Sequence, residues 1–279
     1  MFVSKRLCFL LFLESIILAI SVVFETQPNY KAGDLLDNWD STLPSNPDEV
    51  GNYYQGDILI NVDGLRSMVS DPIFLWPGGV VPYQIVGPYN EEGTEMIKWA
   101  INEFVNKTCI KLRPKENEDT DYLVFTNNKT GCWSYVGKQG GKQEINLQHP
   151  ACVRKDRRGT ILHEIMHALG FVHEHTRPDR DKYIDVLWDN INQAMRDNFN
   201  KTPDDLVSSH EISYDYGSLM QYSMYAFSTK GYNKPTLRPK FSSILYNEPN
   251  QSFKLGQRTY FSEKDLQKIK ILYCSEHNS

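Results

Sequence analysis

Three histidines and one glutamate lie close together in the segment His163-Glu164-Ile-Met-His167-Ala-Leu-Gly170-Phe-Val-His173. On a helix, residues four apart project from one face about one turn apart, so His163 and His167 can share a single ion. Gly170 favours the positive backbone dihedral that ends a helix, and the resulting turn brings His173 back as a third ligand. Three neutral imidazoles with an open fourth position are the ligand set of a catalytic zinc site, so one zinc ion per chain is expected.

Glu164 follows the first histidine of this motif. The residue beside a ligand on a helix points roughly 100° away from it, so Glu164 can reach the metal only through a water molecule. Zinc lowers the pKa of its bound water toward about 7, and an adjacent carboxylate can take the proton as that water attacks a polarised carbonyl. The motif therefore predicts zinc-dependent hydrolysis with Glu164 as the general base.

The composition of the 279 residues is that of a globular protein: 40% are hydrophobic, 23% are charged, and the formal net charge is -5. Collagen, coiled-coil and wholly disordered chains are therefore excluded. The mild acidity gives no general attraction to nucleic acid or to anionic membranes. The main basic cluster, residues 154–158, is interrupted by Asp156 and belongs to no basic stripe, which favours a solvated loop over nucleic-acid recognition.

The N-terminus is typical of a secretory signal peptide. Two basic residues precede apolar runs over residues 7–13 and 16–20, and small residues follow at the usual cleavage spacing. Glu14 interrupts the apolar run, which argues against a membrane-spanning helix. We therefore expect residues 1–21 to be removed, and the mature protein to be secreted without a membrane anchor.

The cysteine count agrees with an extracellular location. Cys8 lies in the signal peptide, and the remaining four cysteines form an even set. Paired cysteines persist in an oxidising compartment, but four cysteines allow three pairings, which the count leaves open. Four N-glycosylation sequons also favour export. The cysteines are Cys109, Cys132, Cys152 and Cys274, and the sequon asparagines are Asn106, Asn128, Asn200 and Asn250.

Hydrophobic patterning indicates an α+β fold, with strands early in the chain and irregular structure with a few helices late. Residues 22–66 have little apolar periodicity and are expected to form a loosely structured extension before a compact domain. Strands are expected over residues 80–86, 122–126 and 144–147. Residues 181–199 are partly helical in pattern, and residues 229–258 are expected to be irregular. A helix is expected where one face collects Met96, Ile97, Ala100, Ile101, Phe104 and Val105.

Residues 163–181 resemble the long signature of the astacin family of zinc metalloendopeptidases, within the metzincins. The match includes the phenylalanine after Gly170 and Glu174 after the third histidine. Ser218-Leu-Met220-Gln-Tyr222 resembles the family's Met-turn. The resemblance implies that Met220 forms an apolar floor beneath the metal. It also implies that the Tyr222 hydroxyl binds zinc at rest and swings to stabilise the tetrahedral oxyanion.

Further blocks extend the resemblance over nearly all of residues 67–274. Residues 75–83 resemble the start of the family's mature domain, and residues 131–147 resemble the segment leading to its substrate-facing edge strand. The resemblance implies two lobes with zinc in the cleft between them. The N-terminal lobe would contain a twisted, mostly parallel sheet and two long helices, and the C-terminal lobe would be largely irregular. Cysteine spacing also agrees, which implies disulfides Cys109–Cys274 and Cys132–Cys152.

A latency mechanism is also implied by the resemblance. Residues 54–58 resemble the family's prosegment motif, in which an aspartate occupies the zinc position needed by the catalytic water; here that residue is Asp57. Counting back from residues 75–83 puts the mature N-terminus at Ser67, directly after Arg66, so activation by a trypsin-like protease is expected. The freed amino group would pair with Glu174. The expected boundaries are a signal peptide at 1–21, a propeptide at 22–66 and a catalytic domain at 67–279.

Two features depart from the family pattern. Gln221 stands where many members have a histidine before the Met-turn tyrosine, which predicts altered hydrogen bonding around the site with activity preserved. Only five residues follow Cys274, so we expect a minimal form without C-terminal accessory modules.

The function expected from these features is hydrolysis of proteins and peptides by a secreted zinc endopeptidase. An extended peptide added to the edge strand by backbone hydrogen bonds favours internal cleavage. The alternative is a secreted binding protein or toxin component with a structural or vestigial zinc site, which loss of Glu164 or Tyr222 would indicate; both are present. Zinc hydrolysis of a small non-peptide substrate is less favoured by the edge-strand and Met-turn blocks.

Overall fold

The structure, a computed structural model, describes residues 27–60, 72–203, 212–229, 234–240 and 255–274. The expected signal peptide, the expected cleavage site at Arg66 and Ser67, and the sequon at Asn250 lie outside the described residues. Among the described residues, no helix combines the length and the apolar character needed to cross a bilayer.

A six-stranded sheet forms the larger part of the fold. Its strands are β1 (Ile58–Leu59), β2 (Val80–Ile85), β3 (Lys111–Pro114), β4 (Tyr122–Thr126), β5 (Cys132–Tyr135) and β6 (Lys142–Leu147). They lie in the order β1-β5-β6-β4-β2-β3. All neighbouring pairs are parallel except β5 with β6. A second, two-stranded antiparallel sheet consists of β7 (Ile184–Val186) and β8 (Leu237–Pro239).

Four α-helices are described: α1 (Tyr30–Asp37), α2 (Glu91–Lys107), α3 (Gly159–Ala168) and α4 (Glu263–Tyr273). Helix α2 contains the predicted amphipathic segment. It begins after Asn90, whose side chain caps the helix by accepting a hydrogen bond from Gly93 N. Its predicted apolar face is buried at Ile97, Ala100, Ile101 and Phe104. The prediction is wrong for Val105, which is 44% exposed, because each residue is rotated about 100° from the one before it.

Helix α3 lies in the middle of the molecule, and all ten of its residues are buried. A helix that is buried on every side needs contacts on every side, and α3 packs against α2, β5 and β6. Its first residue is Gly159, where an added Cβ would lie only 2.3 Å from the carbonyl carbon of Arg258. The close approach of residues 258–259 therefore positions the helix that contains the histidine motif.

The expected loose extension is wrong for its described part, residues 27–60, hereafter the N-terminal segment. This segment contains α1, a 3-10 turn over Pro47–Val50 and β1. Leu36 is buried in the main hydrophobic core, and Trp39 packs against that core. Its buried apolar side chains come from a short helix and a two-residue strand, which are too short to give a sustained apolar periodicity in the sequence.

The partly helical pattern over residues 181–199 produces no α-helix. The region contains β7 and 3-10 turns at Trp188–Asn190 and Gln193–Phe199. The Asn192 side chain accepts a hydrogen bond from Ala194 N at the start of the second turn. Asparagine and aspartate side chains compete with helical hydrogen bonds in this way and favour short turns.

Two disulfides close the fold. Cys109–Cys274 joins the end of α2 to the end of α4, and Cys132–Cys152 joins β5 to the loop before α3. These are the two pairings that the family resemblance implied. The expected α+β class, with a mostly parallel sheet and helices, is confirmed.

Candidate metal centre and active site

Four side chains converge on one point beside α3. Ligand atoms of Asp57, His163, His167 and His173 all lie within 4.8 Å of one another, and all four residues are buried. His163 Nε2 lies 3.1 Å from His167 Nε2 and 3.3 Å from His173 Nε2. Nitrogen ligands of a tetrahedral zinc ion lie roughly 3.3 Å apart, so the three imidazoles fit this ion. Asp57 Oδ2 lies 2.9 Å from His163 Nε2, as a fourth ligand would.

The turn after α3 brings the third histidine to the other two. Gly170 has a φ of 101°, a conformation that glycine adopts without the strain a Cβ would cause. Its N–H donates to His167 O at 2.8 Å, and Phe171 N donates to Met166 O at 3.0 Å. The predicted glycine turn is therefore present, and it places His173 beside the end of the helix.

Each imidazole of the cluster has an oxygen acceptor at Nδ1, the nitrogen that faces away from the cluster. The acceptors are Leu219 O at 2.8 Å from His163, Phe171 O at 2.7 Å from His167, and Gln55 Oε1 at 2.8 Å from His173. A ring that donates through Nδ1 keeps the Nε2 lone pair for a metal. Burial lowers the pKa of His163 and lowers the pKa of His173 to about 3, which favours the neutral form that metal binding requires.

Glu164 is fully buried, and neither of its carboxylate oxygens has a hydrogen-bond partner among the described residues. Burial raises the pKa of Glu164 well above its usual range, and the nearby carboxylates of Asp57 and Asp48 raise it further. Buried polar atoms without partners are uncommon in folded proteins. The carboxylate thus has free acceptor positions for a water molecule or a substrate.

The segment from Ser218 to Tyr222 lies directly behind the histidines. Its Leu219 carbonyl is the Nδ1 acceptor of His163, and its Met220 carbonyl accepts a hydrogen bond of 2.9 Å from Glu174 N. Met220 itself is 2% exposed and belongs to the main core. Two backbone carbonyls of the predicted Met-turn segment are therefore hydrogen-bonded to the two ends of the histidine motif, one to the His163 side chain and one to the Glu174 backbone N–H.

Asp265 of α4 anchors this segment, and sequence reasoning missed it. Its carboxylate accepts hydrogen bonds from Ser218 Oγ at 2.6 Å and from Leu219 N at 2.9 Å. Ser262 and Asp265 also form the capping box of α4. A Ser-x-x-Asp pattern in the sequence could have indicated the cap, but nothing in it points to Ser218.

The Tyr222 ring lies between two histidines. Its centroid is 3.8 Å from that of His175 in a stacked arrangement and 4.6 Å from that of His173 in an edge arrangement. Its hydroxyl donates a hydrogen bond to the Gln55 carbonyl, within the N-terminal segment. The predicted site tyrosine is thus beside the third histidine, with its hydroxyl engaged by the N-terminal segment.

Glu174 is satisfied within the described part of the chain. Its Oε1 accepts from Arg177 Nη1 at 3.1 Å and from Asp215 N at 2.8 Å, and its Oε2 pairs with Lys268 Nζ. Ser67, the partner expected from the family resemblance, lies outside the described residues. Lys268 was not singled out in the sequence, because a lone lysine on a helix carries no signal of burial.

The N-terminal segment passes directly under the cluster. Arg258 donates to Asp48 Oδ2 at 2.7 Å through Nη2, and both side chains are fully buried. The next carboxylate, Glu49, accepts from Ser223 N at 2.6 Å and from Ser223 Oγ at 2.5 Å. Sequence reasoning identified only Asp57 in this segment, since isolated acidic residues form no pattern.

Among the described residues, three imidazoles converge beside a buried glutamate without a hydrogen-bond partner, and the segment from Ser218 to Tyr222 packs behind them. This is the site and the fold of a zinc metallopeptidase. The chain belongs to the astacin family, because the family model described as Astacin, a peptidase family, matches residues 68–274. The resemblance found in the sequence is thereby confirmed. Zinc is the cofactor that this family and this ligand set specify.

Relatives agree with the assignment. The chain is 41% identical over 214 residues to zinc metalloproteinase nas-14 of Caenorhabditis elegans, with 76% of this chain and 40% of nas-14 covered. It is 39% identical over 234 residues to zinc metalloproteinase nas-4 of the same organism, with 80% and 70% covered. The chain therefore spans less than half of the first relative and about 70% of the second.

Solved structures support the fold. High choriolytic enzyme 1, a hatching enzyme zinc-protease from the medaka fish Oryzias latipes, is 34% identical with a TM-score of 0.64, covering 74% of this chain and 97% of that one. Myroilysin is 21% identical with a TM-score of 0.51, covering 73% of this chain and 97% of that one, and it supports the fold alone.

Proposed function

We propose that this chain is a secreted zinc-dependent endopeptidase, made as a zymogen, that hydrolyses peptide bonds in proteins. The observation that carries the proposal is Glu164, whose two buried oxygens have no hydrogen-bond partner within the described part of the chain and lie beside three converging imidazoles. A structural zinc site has no use for a buried carboxylate with free acceptor positions, and such a group is costly to fold. A hydrolytic site requires it as a base.

Each residue has a role in the proposed reaction. Zinc held by the three histidines supplies the Lewis acidity that activates water and polarises a peptide carbonyl. Glu164 accepts the proton of the attacking water and returns it to the leaving nitrogen. The Tyr222 hydroxyl, once released from the Gln55 carbonyl, donates a hydrogen bond to the developing oxyanion. No covalent acyl-enzyme is needed.

Protein substrates are favoured by the open edge of the sheet. Strand β1 of the N-terminal segment is the outermost strand and pairs with β5, Ile58 with Ser134 and Leu59 with Tyr135. Without the N-terminal segment, β5 is the edge strand of the sheet. Backbone groups of β5 that now bond β1 would bond an extended substrate once β1 leaves. Because such binding needs no free terminus, it favours cleavage inside a chain.

Latency follows from the position of Asp57. Its carboxylate takes the fourth ligand position, which hydrolysis needs for water. We infer a propeptide over residues 22–66, a catalytic domain over residues 67–279, and activation by a trypsin-like protease that cuts after Arg66. The new amino group of Ser67 would join or displace Lys268 at Glu174.

Export is the proposed destination of the chain. Residues 1–21 have the pattern of a signal peptide, and both disulfides suit an oxidising compartment. Asn106, Asn128 and Asn200 are exposed, as glycosylation requires. Asn250, the fourth sequon, lies outside the described residues.

The test is cleavage of an unstructured protein by the activated enzyme, comparing wild type with Glu164→Gln at equal zinc content. Loss of the general base should lower the rate by roughly 10² to 10⁴. Glu95→Gln, which changes an exposed glutamate of α2, is the matched control and should retain full activity. If wild type and Glu164→Gln are equally inert with zinc bound, the enzyme proposal fails, and a secreted binding protein with a vestigial site becomes the better hypothesis.

A further inference from the structure

Residues 29–46 of the N-terminal segment bind the rest of the chain at a surface separate from the metal cluster. Helix α1 contributes Leu36, which is 2% exposed within the main core, and Trp39 packs against the same core just after the helix ends. Ala32 on the same helix is fully buried, and an added Cβ at Gly131 would lie 3.4 Å from its side chain. The contact is thus an apolar slot filled by one amphipathic helix.

Cations surround this slot. Arg157 Nη1 donates to Asn46 Oδ1, and its Nη2 lies 3.4 Å from the Leu43 carbonyl. The guanidinium groups of Arg154 and Arg157 lie 5.9 and 5.7 Å from the centre of the Trp39 ring, in cation–π contact. Both arginines therefore contact the Trp39 ring, and Arg157 also hydrogen-bonds the turn that follows it.

The other side of the slot is also complementary in charge. Lys129 Nζ lies 3.1 Å from Asp34 Oδ1 and 2.8 Å from Asp37 Oδ2. Gln148 Nε2 donates to Asp37 Oδ1 at 2.8 Å. Residues 29–46 carry three aspartates and one lysine, a net charge of -2, and they face Lys129, Arg154 and Arg157.

We propose that this docking surface (Lys129, Gln148, Arg154, Arg157 and the slot for Leu36 and Trp39) has a second occupant after activation: an acidic amphipathic helix of a protein substrate. The inference rests on the proposed function. When residues 27–60 leave, an apolar slot ringed by cations is uncovered. Such patches, an anchor pocket with a polar rim, are typical of protein interaction sites.

The docking surface is close enough to the metal cluster to act on the same substrate. Asn46, where the docked part ends, and Asp57 are separated by 57 minus 46, or 11, positions. A chain of that length spans at most about 36–40 Å when extended. A substrate whose helix is bound in the slot would therefore place at the cluster a peptide bond about 11 residues beyond the end of the docked part. Binding there would raise the local substrate concentration and lower KM.

The first experiment measures binding directly. A fluorescein-labelled synthetic peptide of residues 29–46 is titrated, by anisotropy, against the activated enzyme freed of its cut segment. Arg157→Gln should weaken binding about tenfold, because a charged hydrogen-bond donor and a cation–π contact are both lost. Lys155→Gln is the matched control: Lys155 is an exposed cation of the same loop, with no contact to residues 29–46 among the described contacts, and its variant should bind like wild type.

A peptide variant tests whether the helix binds in the same position as α1 does in the full chain. Gly33→Ala raises the helix propensity of the peptide, so it should improve any nonspecific helix binding. In the docked position, however, a Cβ at Gly33 would lie 2.3 Å from the Lys129 carbonyl oxygen. We therefore expect the Gly33→Ala peptide to bind at least about tenfold more weakly than the parent peptide.

The second experiment measures catalysis. An unstructured protein carrying residues 29–46 at one end is compared with the same protein carrying a scrambled version of those residues. For wild type and for Lys155→Gln, kcat/KM should be about 10-fold higher on the protein with residues 29–46 than on the scrambled one. For Arg157→Gln the two values should be about equal. The effect should appear in KM and not in kcat. A ratio of 1 for wild type, or equal peptide binding by Arg157→Gln, would overturn the proposal. Peptide binding is also measured in the zinc-free protein, because binding to the docking surface needs no catalysis. If the protein is inactive but binds the peptide in an Arg157-dependent way, the docking surface is supported and only the proposed enzymatic function is contradicted.

Discussion

Tyr222 has two separable parts, a ring and a hydroxyl. The ring is stacked 3.8 Å from His175 and lies edge-on to His173 at 4.6 Å, contacts that a phenylalanine would keep. Burial raises the pKa of Tyr222 well above its usual range, so the hydroxyl stays a donor. His175 was not singled out from the sequence, although it lies inside the histidine motif region.

Replacing Tyr222 with phenylalanine should therefore affect chemistry and spare the fold. We expect Tyr222→Phe to lower kcat of the activated enzyme by roughly 10²-fold, the usual effect of removing one oxyanion donor. Zinc content and the unfolding midpoint should stay near those of Tyr260→Phe, a control at a tyrosine that is 57% exposed. Steady-state kinetics on a peptide substrate measure the effect, and an unchanged kcat would remove Tyr222 from the mechanism.

At the scale of elements, α4 supports the active site from behind through two side chains. Lys268 pairs with Glu174, which directly follows the third histidine, and Asp265 hydrogen-bonds the Met-turn segment. Glu174 N also donates to the Met220 carbonyl. The helix thus fixes both segments that flank the histidines, although it contributes no group to the cluster.

Lys268→Met should destabilise the protein by leaving Glu174 short of a cation. Breaking a buried ion pair costs about 3–5 kcal/mol, and the Lys268 side chain is 18% exposed, so we expect the lower end, about 3 kcal/mol. Lys270→Met changes an exposed lysine on the same helix and should be nearly neutral. Urea unfolding of the full chain measures both variants. Equal midpoints for the two would mean that Arg177 and Asp215 N satisfy Glu174 without Lys268.

The contribution of Asp265 to the free energy of unfolding should depend on pH. Burial raises the pKa of Asp265 to about 6, Lys268 opposes the shift, and Asp215 adds to it. The folded-state pKa lies above the unfolded value of about 3.9, so the folded state binds this proton more tightly. The contribution of Asp265 to stability is therefore greatest below about pH 4, and it is lost as the pH rises through about 6.

We expect the difference in unfolding free energy, wild type minus Asp265→Asn, to fall by about 2 kcal/mol between about pH 4 and pH 7. Taking the difference between the two proteins cancels the titration of every other group that the substitution leaves alone. Urea titrations at four pH values across this range provide the measurement. A difference that is constant with pH, or that rises with it, would show that Asp265 has an ordinary pKa in the folded chain.

When the molecule is considered as one unit, the N-terminal segment is attached to the rest of the chain at several separate points. Residues 29–46 occupy the docking surface, Asp48 and Glu49 bond to Arg258 and Ser223, and Asp57 meets the histidines. Strand β1 then covers the edge of the sheet. The proposed latency should therefore depend on more than the Asp57 carboxylate.

This predicts graded activation in the full chain with Arg66→Ala to block the proposed cut. Asp57→Ala should raise peptide cleavage only in part, because residues 47–56 still occupy the site. Adding Asp48→Asn breaks a fully buried ion pair, and it should raise activity at least about tenfold further. Asp40→Asn, at an exposed aspartate of the same segment, is the control. Full activity in Asp57→Ala alone would mean that the Asp48–Arg258 pair contributes nothing to latency, and complete latency in Asp57→Ala would mean that the Asp57 carboxylate is not needed for it.

Local sequence is sufficient to predict that the three histidines converge. Helical periodicity dictates that residues four apart share a face, and Gly170 alone accounts for the return of His173, so the cluster follows from spacing and backbone conformation. Strand β2 (Val80–Ile85), expected over residues 80–86, and the apolar face of α2 (Glu91–Lys107) follow in the same way from apolar periodicity. Resemblance to the family added the disulfide pairing and Asp57, which periodicity alone leaves open.

Tertiary structure decided what surrounds those ligands. The Asp48–Arg258 pair joins residues 210 positions apart, and Asp265, Lys268 and the Leu219 carbonyl reach the site from other parts of the chain. A buried ion pair or a backbone acceptor carries no periodic signal, because its partner is defined by the packing of distant elements. The same reason explains the folded N-terminal segment, whose helix has its buried face only where the rest of the molecule provides the slot.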